Sequence, residues 1–275
     1  MKDSLKEFML DRNEHDALRK VYNPDGSVLR KAQMRMLEMV LFIDGVCKEN
    51  GIRYWLDGGT LLGAARHGGF IPWDDDMDIG MFPEDAEKFK AYMIEHPNDR
   101  FSIQCIGIDK GFRWPWYRLQ DKHSRFIEEH PASSGCDMQG LQVDIFIFSP
   151  DITPVFSSWC RKISGKMGRR YLFGHIRRGY MLFLFREKFM LPLARLSSRL
   201  YHKRNMMRHV YGSPFKVNIP SKCFLPLSEI DFEGHLLSAP ADVDGYLTAL
   251  YGKSWTQVPA EDKRATHNAK IEVFD

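Results

Sequence analysis

Acidic and glycine residues whose types and spacing could do chemistry are concentrated in Arg53–Met81 (RYWLDGGTLLGAARHGGFIPWDDDMDIGM). Asp76 and Asp78 alternate along a predicted strand, so both carboxylates lie on the same side of it. Gly58-Gly59 precedes a predicted helix, whose free N–H groups and dipole favour an anion such as phosphate. Two carboxylates beside a phosphate-binding turn predict divalent-metal and phosphoryl chemistry.

The same segment predicts the elements that position these residues. Arg53–Asp57 is a predicted strand, and Thr60 is expected to cap a short helix that runs to Arg66. His67-Gly68-Gly69 ends that helix, and Asp76–Met81 is a second predicted strand.

Acidic runs are usually solvated loops, so the run Asp74–Asp78 has a simpler interpretation. The flanking residues favour burial instead, and buried carboxylates are costly unless they are paired or metal-bound; these flanking residues are Phe70, Ile71, Trp73, Met77 and Ile79. Within the run we expect Asp76 and Asp78 to bind metal. Asp74 and Asp75 rank below them, and Asp74 is expected to shape the turn after Trp73.

A further aspartate, Asp144, interrupts the apolar run Val143–Phe148, which is typical of a buried strand. A carboxylate there needs a partner. A hydrogen-bonded structural role is one interpretation, but the aspartates at 76 and 78 favour a metal ligand.

The segment GGTLLGAARHGGFIPWDDDMDIG resembles the signature of the LicD family of phosphotransferases, a branch of the nucleotidyltransferase superfamily. The superfamily pattern is a Gly-Gly/Ser turn, Asp-x-Asp on a strand and a third carboxylate on a later strand. Gly58-Gly59, Asp76/Asp78 and Asp144 fit that order. The resemblance covers Ile52–Phe89, Trp116–Phe148, Tyr246–Trp255 and Arg264–His267, and it is not recognisable over Ser157–His209.

The resemblance implies that Asp76, Asp78 and Asp144 bind Mg²⁺, with Mn²⁺ as the alternative, at the diphosphate of a CDP-alcohol. An acceptor hydroxyl would attack in line with Asp144 as base, and CMP would leave. The alcohol phosphate, phosphocholine or similar, would then join a cell-surface glycan or its lipid-linked precursor.

The expected phosphate contacts combine the glycine turn with basic residues that resemble those of the family. They are Gly58, Gly59, Thr60, Arg66, His67, Arg118, Lys122, Arg264 and His267. Simpler roles stay open for several of them. His67 could only end its helix, Arg118 and Lys122 could be surface charges, and Arg264 and His267 could belong to an exposed basic tail.

Three aromatic residues, Trp114, Trp116 and Tyr117, suggest a cage for a choline group. LicD-family members often transfer phosphocholine, and aromatic faces bind quaternary ammonium groups through cation–π attraction. Aromatic residues at such spacing are also common in cores.

Composition limits the class of protein. With 275 residues, 44% hydrophobic and 27% charged, the chain is typical of a globular protein that buries a full core. Five cysteines without a C-x-x-C motif argue against a disulfide framework and a structural zinc site. No signal peptide and no transmembrane run is recognisable, so we expect a cytoplasmic protein.

The segment Arg161–Arg208 is intensely basic. It holds fourteen of the 39 Lys/Arg residues and one of the 36 acidic residues, Glu187, which leaves the remainder with a net charge of −10. A predicted amphipathic helix, Lys188–Arg204, has Phe189, Leu193, Leu196 and Leu200 on the side opposite Lys188, Arg195, Arg199, His202 and Lys203. This pattern fits peripheral contact with the inner face of an anionic membrane. The alternative is a helical lobe packed on the domain with a solvated basic face.

We therefore predict an α+β fold, with a nucleotidyltransferase-like core whose mixed β-sheet is flanked by helices and carries a basic helical insert. The predicted domains are a catalytic core at 1–156, the insert at 157–212 and a completing segment at 213–275. Residues 1–27 are interpreted as a polar lead-in. Predicted helices are Val28–Asn50, Pro83–Glu95 and Val243–Tyr251; further predicted strands are Phe101–Ile108, Trp114–Leu119 and Phe126–Glu128.

Two other functions stay open. A nucleotidyltransferase that modifies a small molecule would release pyrophosphate instead of CMP. A non-enzymatic module could bind anionic lipid or glycan through the basic insert, although intact Asp76, Asp78 and Asp144 favour an enzyme. No motif resembles a groove-reading element, so no nucleic-acid partner is expected.

Overall fold

The computed structural model describes residues 8–109, 111–112, 114–127, 136–150, 159, 162–163, 166, 176–190, 192–193, 196, 205–209, 218–264 and 270–274. The helices in this part of the chain are α1 (Arg12–Tyr22), α2 (Val28–Asn50), α3 (Gly58–His67), α4 (Pro83–Glu95), α5 (Ile176–Phe185) and α6 (Val243–Tyr251). The strands are β1 (Tyr54–Leu56), β2 (Asp78–Met81), β3 (Phe101–Gln104), β4 (Tyr117–Asp121), β5 (Ser124–Ile127), β6 (Gln142–Pro150), β7 (Met206–His209), β8 (Ile219–Pro220), β9 (Ser228–Phe232), β10 (His235–Ala239) and β11 (Lys270–Val273).

A mixed sheet forms the centre of the fold. Its strands run in the order β1-β2-β6-β4-β3, and β7 and β8 extend it beside β6. β2 and β6 are parallel, whereas β1–β2, β6–β4, β4–β3 and β6–β7 are antiparallel. Helices and a mixed sheet together confirm the α+β class.

The long helix α2 braces this sheet. Ser27 caps its first turn by accepting a hydrogen bond from the Arg30 N–H at 3.1 Å, and Gly51 ends it in the left-handed conformation. Apolar residues at helical spacing, Met36, Val40, Ile43 and Cys47, are buried on one side. The predicted bounds of α2, α4 and α6 are confirmed.

Two elements from the C-terminal part complete the core. The hairpin β9–β10 packs beside β1, and α6 packs against α3. β11 pairs with β5 in a separate two-stranded ribbon. Residues far apart in the sequence thus enclose the same short helix, α3.

Several predicted element bounds were wrong. Residues 12–22 form a helix rather than part of a lead-in, because Asp11 accepts from the Asn13 N–H and Leu18 and Tyr22 pack against the core. β3 ends at Gln104, where the chain turns and the Asp109 N–H bonds to the Cys105 carbonyl. β4 and β5 lie at Tyr117–Asp121 and Ser124–Ile127, offset from the predicted strands by a few residues.

Within the predicted insert, Ile176–Phe185 is helical and continues as a π-helical turn to Met190. Most of the predicted helix Lys188–Arg204 lies outside the described residues. Met206–His209 pairs with β6 and so belongs to the central sheet. Among the described residues, no helix has both the length and the apolar character needed to cross a membrane.

Candidate active site

The first turn of α3 lies directly over the carboxylates of β2. Asp57, at the end of β1, caps the helix by accepting from the Gly58 N–H at 2.7 Å. Gly58 has φ +53°, and a Cβ there would lie 2.9 Å from Oδ2 of Asp78. The prediction that Thr60 caps this helix was wrong, because Asp57 occupies the cap position. The Thr60 hydroxyl instead accepts from the backbone N–H of Asp78 at 2.8 Å. Gly58 is therefore required by both conformation and space.

Asp74 also contacts this turn, although the sequence ranked it below Asp76 and Asp78. Its N–H bonds to the Ile71 carbonyl at 2.9 Å, so it does shape the turn after Trp73. Its carboxylate nevertheless reaches inward, since a Cβ on Gly59 would lie 2.9 Å from Oδ2 of Asp74. Asp74 belongs to the same acidic cluster.

Strand pairing brings the three predicted aspartates together. β2 and β6 are parallel with Asp78 opposite Asp144, and Asp76 precedes β2 on the same side. Asp76, Asp78 and Asp144 line one cavity of about 200 Å³. Its other lining residues are Asp75, Met77, Trp116, Arg118, Phe126, Gln142 and Phe146.

Burial and like charge dominate the electrostatics of this cavity. Burial, followed by repulsion from Asp76, raises the pKa of Asp74 and of Asp78 well above the usual range. Burial also raises the pKa of Asp144, against the opposing effect of Arg118. Carboxylates this close together favour the binding of a cation, because its charge would offset their mutual repulsion.

Arg118 is the basic residue that lies among the carboxylates. It stands opposite Asp144 on β4, and its Nε donates to Oδ1 of Asp144 at 2.6 Å. Its guanidinium lies 4.5 Å from the ring centre of Trp114 and 5.6 Å from that of Phe112. Two adjacent rings, with centres 5.1 Å apart, thus pack against the guanidinium of this ion pair.

The donor atoms of the cluster fit a hard divalent cation, because carboxylate oxygens are the ligands that Mg²⁺ and Mn²⁺ prefer. In their present positions these side chains are not close enough together to bind a metal ion. Among the residues that the structure describes, no group of three His, Cys, Asp or Glu side chains has that geometry. Asp144 instead bonds to Arg118. The chemistry of the residues fits the ion, and the metal ligand set stays a prediction.

The structure does not bring the three proposed cage aromatics around one space. Trp114 stacks on Arg118, and Trp116 is buried with its ring centre 5.1 Å from that of Phe146. Tyr117 faces the other side of the sheet, where its ring lies 5.2 Å from Nζ of Lys90 on α4. The rings of Trp114 and Trp116 do lie near each other, with centres 6.3 Å apart, and Tyr117 stands apart from them on Lys90.

Arg66 and His67 lie at the far end of α3 and do not line the cavity. Nη1 of buried Arg66 donates to the carbonyls of Trp255 at 3.1 Å and Gln257 at 2.9 Å. Nε of Arg66 bonds to Nε2 of His67, and burial together with this charge lowers the pKa of His67 to about 3. This pair ties α3 to the C-terminal segment.

Two other predicted phosphate contacts also lie outside the cavity. Nζ of Lys122 donates to the Asn98 carbonyl at 2.6 Å. Arg264 donates to the Tyr22 hydroxyl at 2.6 Å, and its guanidinium lies 4.8 Å from the ring centre of Trp73. His267 lies outside the described residues.

The sequence did not predict a buried hydrogen-bonded pair behind α3, Asp57 and Tyr246. Tyr246 on α6 donates its hydroxyl to Oδ1 of Asp57 at 2.7 Å and accepts from Nε1 of Trp55 at 3.1 Å. Burial raises the pKa of Asp57 to about 6. An Asp directly before Gly-Gly is a capping signal that could have identified Asp57. Nothing near Tyr246 in the sequence indicates its partner.

Tyr251, one turn further along α6, was also missed. Burial raises the pKa of its hydroxyl, and the charges of Asp57, Asp78, Asp74 and Asp76 raise it further. The residue is not among those that line the cavity.

The family model described as LicD/FKTN/FKRP, nucleotidyltransferase domain, matches residues 51–197. The chain belongs to the LicD family. The prediction made from the glycine turn and the aspartates is thus confirmed. The match also continues into the segment after Ser157, where the sequence alone showed no resemblance.

Individual relatives agree with this assignment. Lipopolysaccharide cholinephosphotransferase LicD of Haemophilus influenzae is 26% identical over 260 residues, which are 87% of this chain and 96% of the relative. Ribitol 5-phosphate transferase FKRP of Homo sapiens is 56% identical over 90 residues, 33% of this chain and 18% of FKRP. Ribitol-5-phosphate transferase FKTN of Mus musculus is 36% identical over 149 residues, 54% of this chain and 27% of FKTN.

Proposed function

We propose that this LicD-family phospho-alcohol transferase moves an alcohol phosphate from a CDP-alcohol to a hydroxyl of a cell-surface glycan or its lipid-linked precursor, releasing CMP. The main support is the convergence of Asp76, Asp78 and Asp144 in one cavity at the first turn of α3. The relative that spans most of the chain is named a cholinephosphotransferase, and two others are named ribitol phosphate transferases. These names support phosphocholine or ribitol phosphate as the alcohol phosphate that is transferred.

Asp76, Asp78 and Asp144 would hold Mg²⁺ or Mn²⁺, which when bound neutralises charge on the diphosphate and on the leaving CMP. The residues around it orient the donor. The Gly58 N–H is bonded to Asp57, so the N–H groups of Gly59 and Thr60 would be the ones to face phosphate oxygens, at the favourable end of the helix dipole. Arg118, packed on Trp114, would supply a positive charge beside Asp144.

The transfer itself is one in-line displacement. The acceptor oxygen forms a bond to the phosphorus of the alcohol phosphate while the bond from that phosphorus to the CMP oxygen breaks. The CMP phosphate keeps the electron pair, and Asp144 accepts the hydroxyl proton. Buried aromatic walls, among them Trp116 and Phe146, limit the access of water that would compete with the acceptor.

Product analysis tests the reaction class. Purified protein with Mg²⁺ is given CDP-choline, CDP-ethanolamine, CDP-ribitol and CDP-glycerol together with a glycan acceptor, and nucleotide products are separated by chromatography. We expect CMP and a phosphodiester on the glycan. Pyrophosphate release from a nucleoside triphosphate would instead assign the nucleotidyltransferase alternative.

Site variants test the residues. Asp76→Asn and Asp78→Asn are each expected to lower turnover by about a thousandfold or more while the protein stays folded, because each removes a charged ligand from a repulsive cluster. Asp99→Asn, at an exposed position, is the matched control and should keep full turnover. Absence of turnover in the wild-type protein, with metal binding unchanged in the Asp76/Asp78 double variant, would favour the non-enzymatic module. The expected cytoplasmic location stays a prediction.

A further inference from the structure

Exposed apolar residues recur along α5, along the π-helical turn that follows it and at two described helical residues beyond it. Met181, Phe185 and Phe189 are 65%, 49% and 61% exposed, and Leu193 and Leu196 further on are 54% and 55% exposed. Successive members are four, four, four and three positions apart, which is the spacing of one helical face. The rings of Phe185 and Phe189 stack with their centres 5.8 Å apart. We call these five residues the α5 stripe.

One residue next to the stripe is buried. Met190, directly after Phe189, is 5% exposed. The alternative raised by the sequence, a lobe whose apolar side packs on the domain, requires Phe189, Leu193 and Leu196 to be buried. They are exposed, which favours the membrane alternative for these residues.

Exposed basic residues surround the α5 stripe. Arg177 and Arg178 stand one turn before Met181, and Lys188 lies between Phe185 and Phe189. The wider segment Arg161–Arg208 holds fourteen Lys/Arg residues and one acidic residue. An apolar stripe with basic neighbours complements the headgroup region of an anionic bilayer, where acyl chains lie just below phosphate groups. In a dimer formed through this surface, the positive charges of the two copies would repel each other.

We propose that the α5 stripe lies in the headgroup region of an anionic membrane, with Arg177, Arg178 and Lys188 on the lipid phosphates. The helical segment would lie parallel to the surface, since the five strongly exposed apolar residues recur at the spacing of one side. This attachment goes beyond the proposed transfer and does not depend on it. It would also bring the catalytic domain to the surface at which a lipid-linked acceptor is found.

Vesicle flotation tests the attachment with the full-length protein. Vesicles of phosphatidylglycerol and phosphatidylcholine are compared with vesicles of phosphatidylcholine alone. We expect wild-type protein to float with the anionic vesicles only. Phe185→Ser/Phe189→Ser should lower the partition coefficient by about a hundredfold, from the loss of two large apolar side chains, and Arg177→Gln/Arg178→Gln by about 25-fold.

Ile94→Ser is the matched control, because Ile94 on α4 is 55% exposed and lies outside the stripe; it should leave partition unchanged. Circular dichroism establishes that each variant is folded. Equal partition of wild type and the Phe185/Phe189 variant would overturn the proposal. A dimer in size-exclusion chromatography that the same variant dissolves, without vesicle binding by wild type, would assign the stripe to a second copy and also overturn it.

Turnover measured with a detergent-free soluble glycan acceptor separates the two proposals. The Phe185/Phe189 variant is expected to release CMP at the wild-type rate there. CMP release without vesicle binding would refute the membrane attachment alone. Vesicle binding without any CMP release would refute the proposed transfer alone.

Discussion

Replacing the buried carboxylate behind α3 should stabilise the protein at neutral pH. Asp57 is fully buried, and its two partners, the Gly58 N–H and the Tyr246 hydroxyl, are neutral donors at 2.7 Å. In Asp57→Asn the amide oxygen can accept both hydrogen bonds. The substitution therefore removes a buried charge while it keeps the helix cap.

The magnitude follows from the pKa of Asp57, which burial raises from the usual 3.8 to about 6. Between these two values the folded protein holds a proton that the unfolded chain has lost, so the free energy of unfolding falls as the pH rises through this window. At about 1.4 kcal/mol per unit, the loss reaches about 3 kcal/mol above pH 6. Asp57→Asn lacks this loss. The free energy of unfolding of the variant should therefore match that of wild type below pH 4 and exceed it by about 3 kcal/mol at pH 7.

Urea denaturation of both proteins across that pH range measures the effect. The difference between the two is the relevant quantity, because His67 and His209 have lowered pKa values and contribute pH dependence of the opposite sign in both proteins. Asp44→Asn is the control. Asp44 also accepts from a tyrosine hydroxyl but pairs with Lys48 at 2.7 Å, so its neutralisation should not stabilise.

Two outcomes would refute this reasoning. One is a stability difference between Asp57→Asn and wild type that stays constant with pH. The other is a variant that is less stable than wild type at pH 7. Either would mean that the Asp57 carboxylate gains more from its surroundings than two neutral donors supply.

Other substitutions test how α3 and β2 are held. Arg66→Ala should cost about 3 to 5 kcal/mol of unfolding free energy, because it leaves the Trp255 carbonyl without its buried donor; a cost below 1 kcal/mol in urea denaturation would contradict the role of Arg66 as an anchor. Gly80→Ala should cost about 2 to 3 kcal/mol or more, since its Cβ would lie 2.3 Å from the ring of Trp55. Gly45→Ala meets nothing within 4 Å in a helix and should stabilise by about 0.5 to 1 kcal/mol, so equal effects at the two glycines would refute the packing argument.

Local signals predicted the helices well. Helix α2 begins after Ser27 and ends before Gly51, and both residues act through contacts within one turn of the helix. The same holds for Pro83 at the start of α4. The information needed for these bounds lies within a few residues of each end.

The acidic cluster was predictable for a related reason. Alternation fixes the side of a strand on which Asp76 and Asp78 lie, and an aspartate inside an apolar strand, Asp144, requires a partner. The roles of Arg66 and Tyr246 were not predictable, because their partners lie 189 or more positions away in the sequence. Charge type suggested a phosphate contact for Arg66, whereas tertiary packing places it on backbone carbonyls.

Strand alternation bears on the predicted aromatic cage. Trp116 and Tyr117 are consecutive, and β4 begins at Tyr117. Period-two alternation already separates two consecutive side chains at a strand. A cage of all three aromatic residues requires that their rings occupy the same face of the sheet.

The pairing of β6 with β7 has a consequence for how this protein could diversify. Pro150 stands opposite Met207, so residues 151–205 leave and re-enter the sheet at neighbouring points. Closing a loop of twice that length would cost only about 0.6 kcal/mol more. Replacement of the connecting segment would leave the Asp78–Asp144 register in place. A change in the length or surface of this segment therefore need not disturb the strand pairing that brings the two aspartates together.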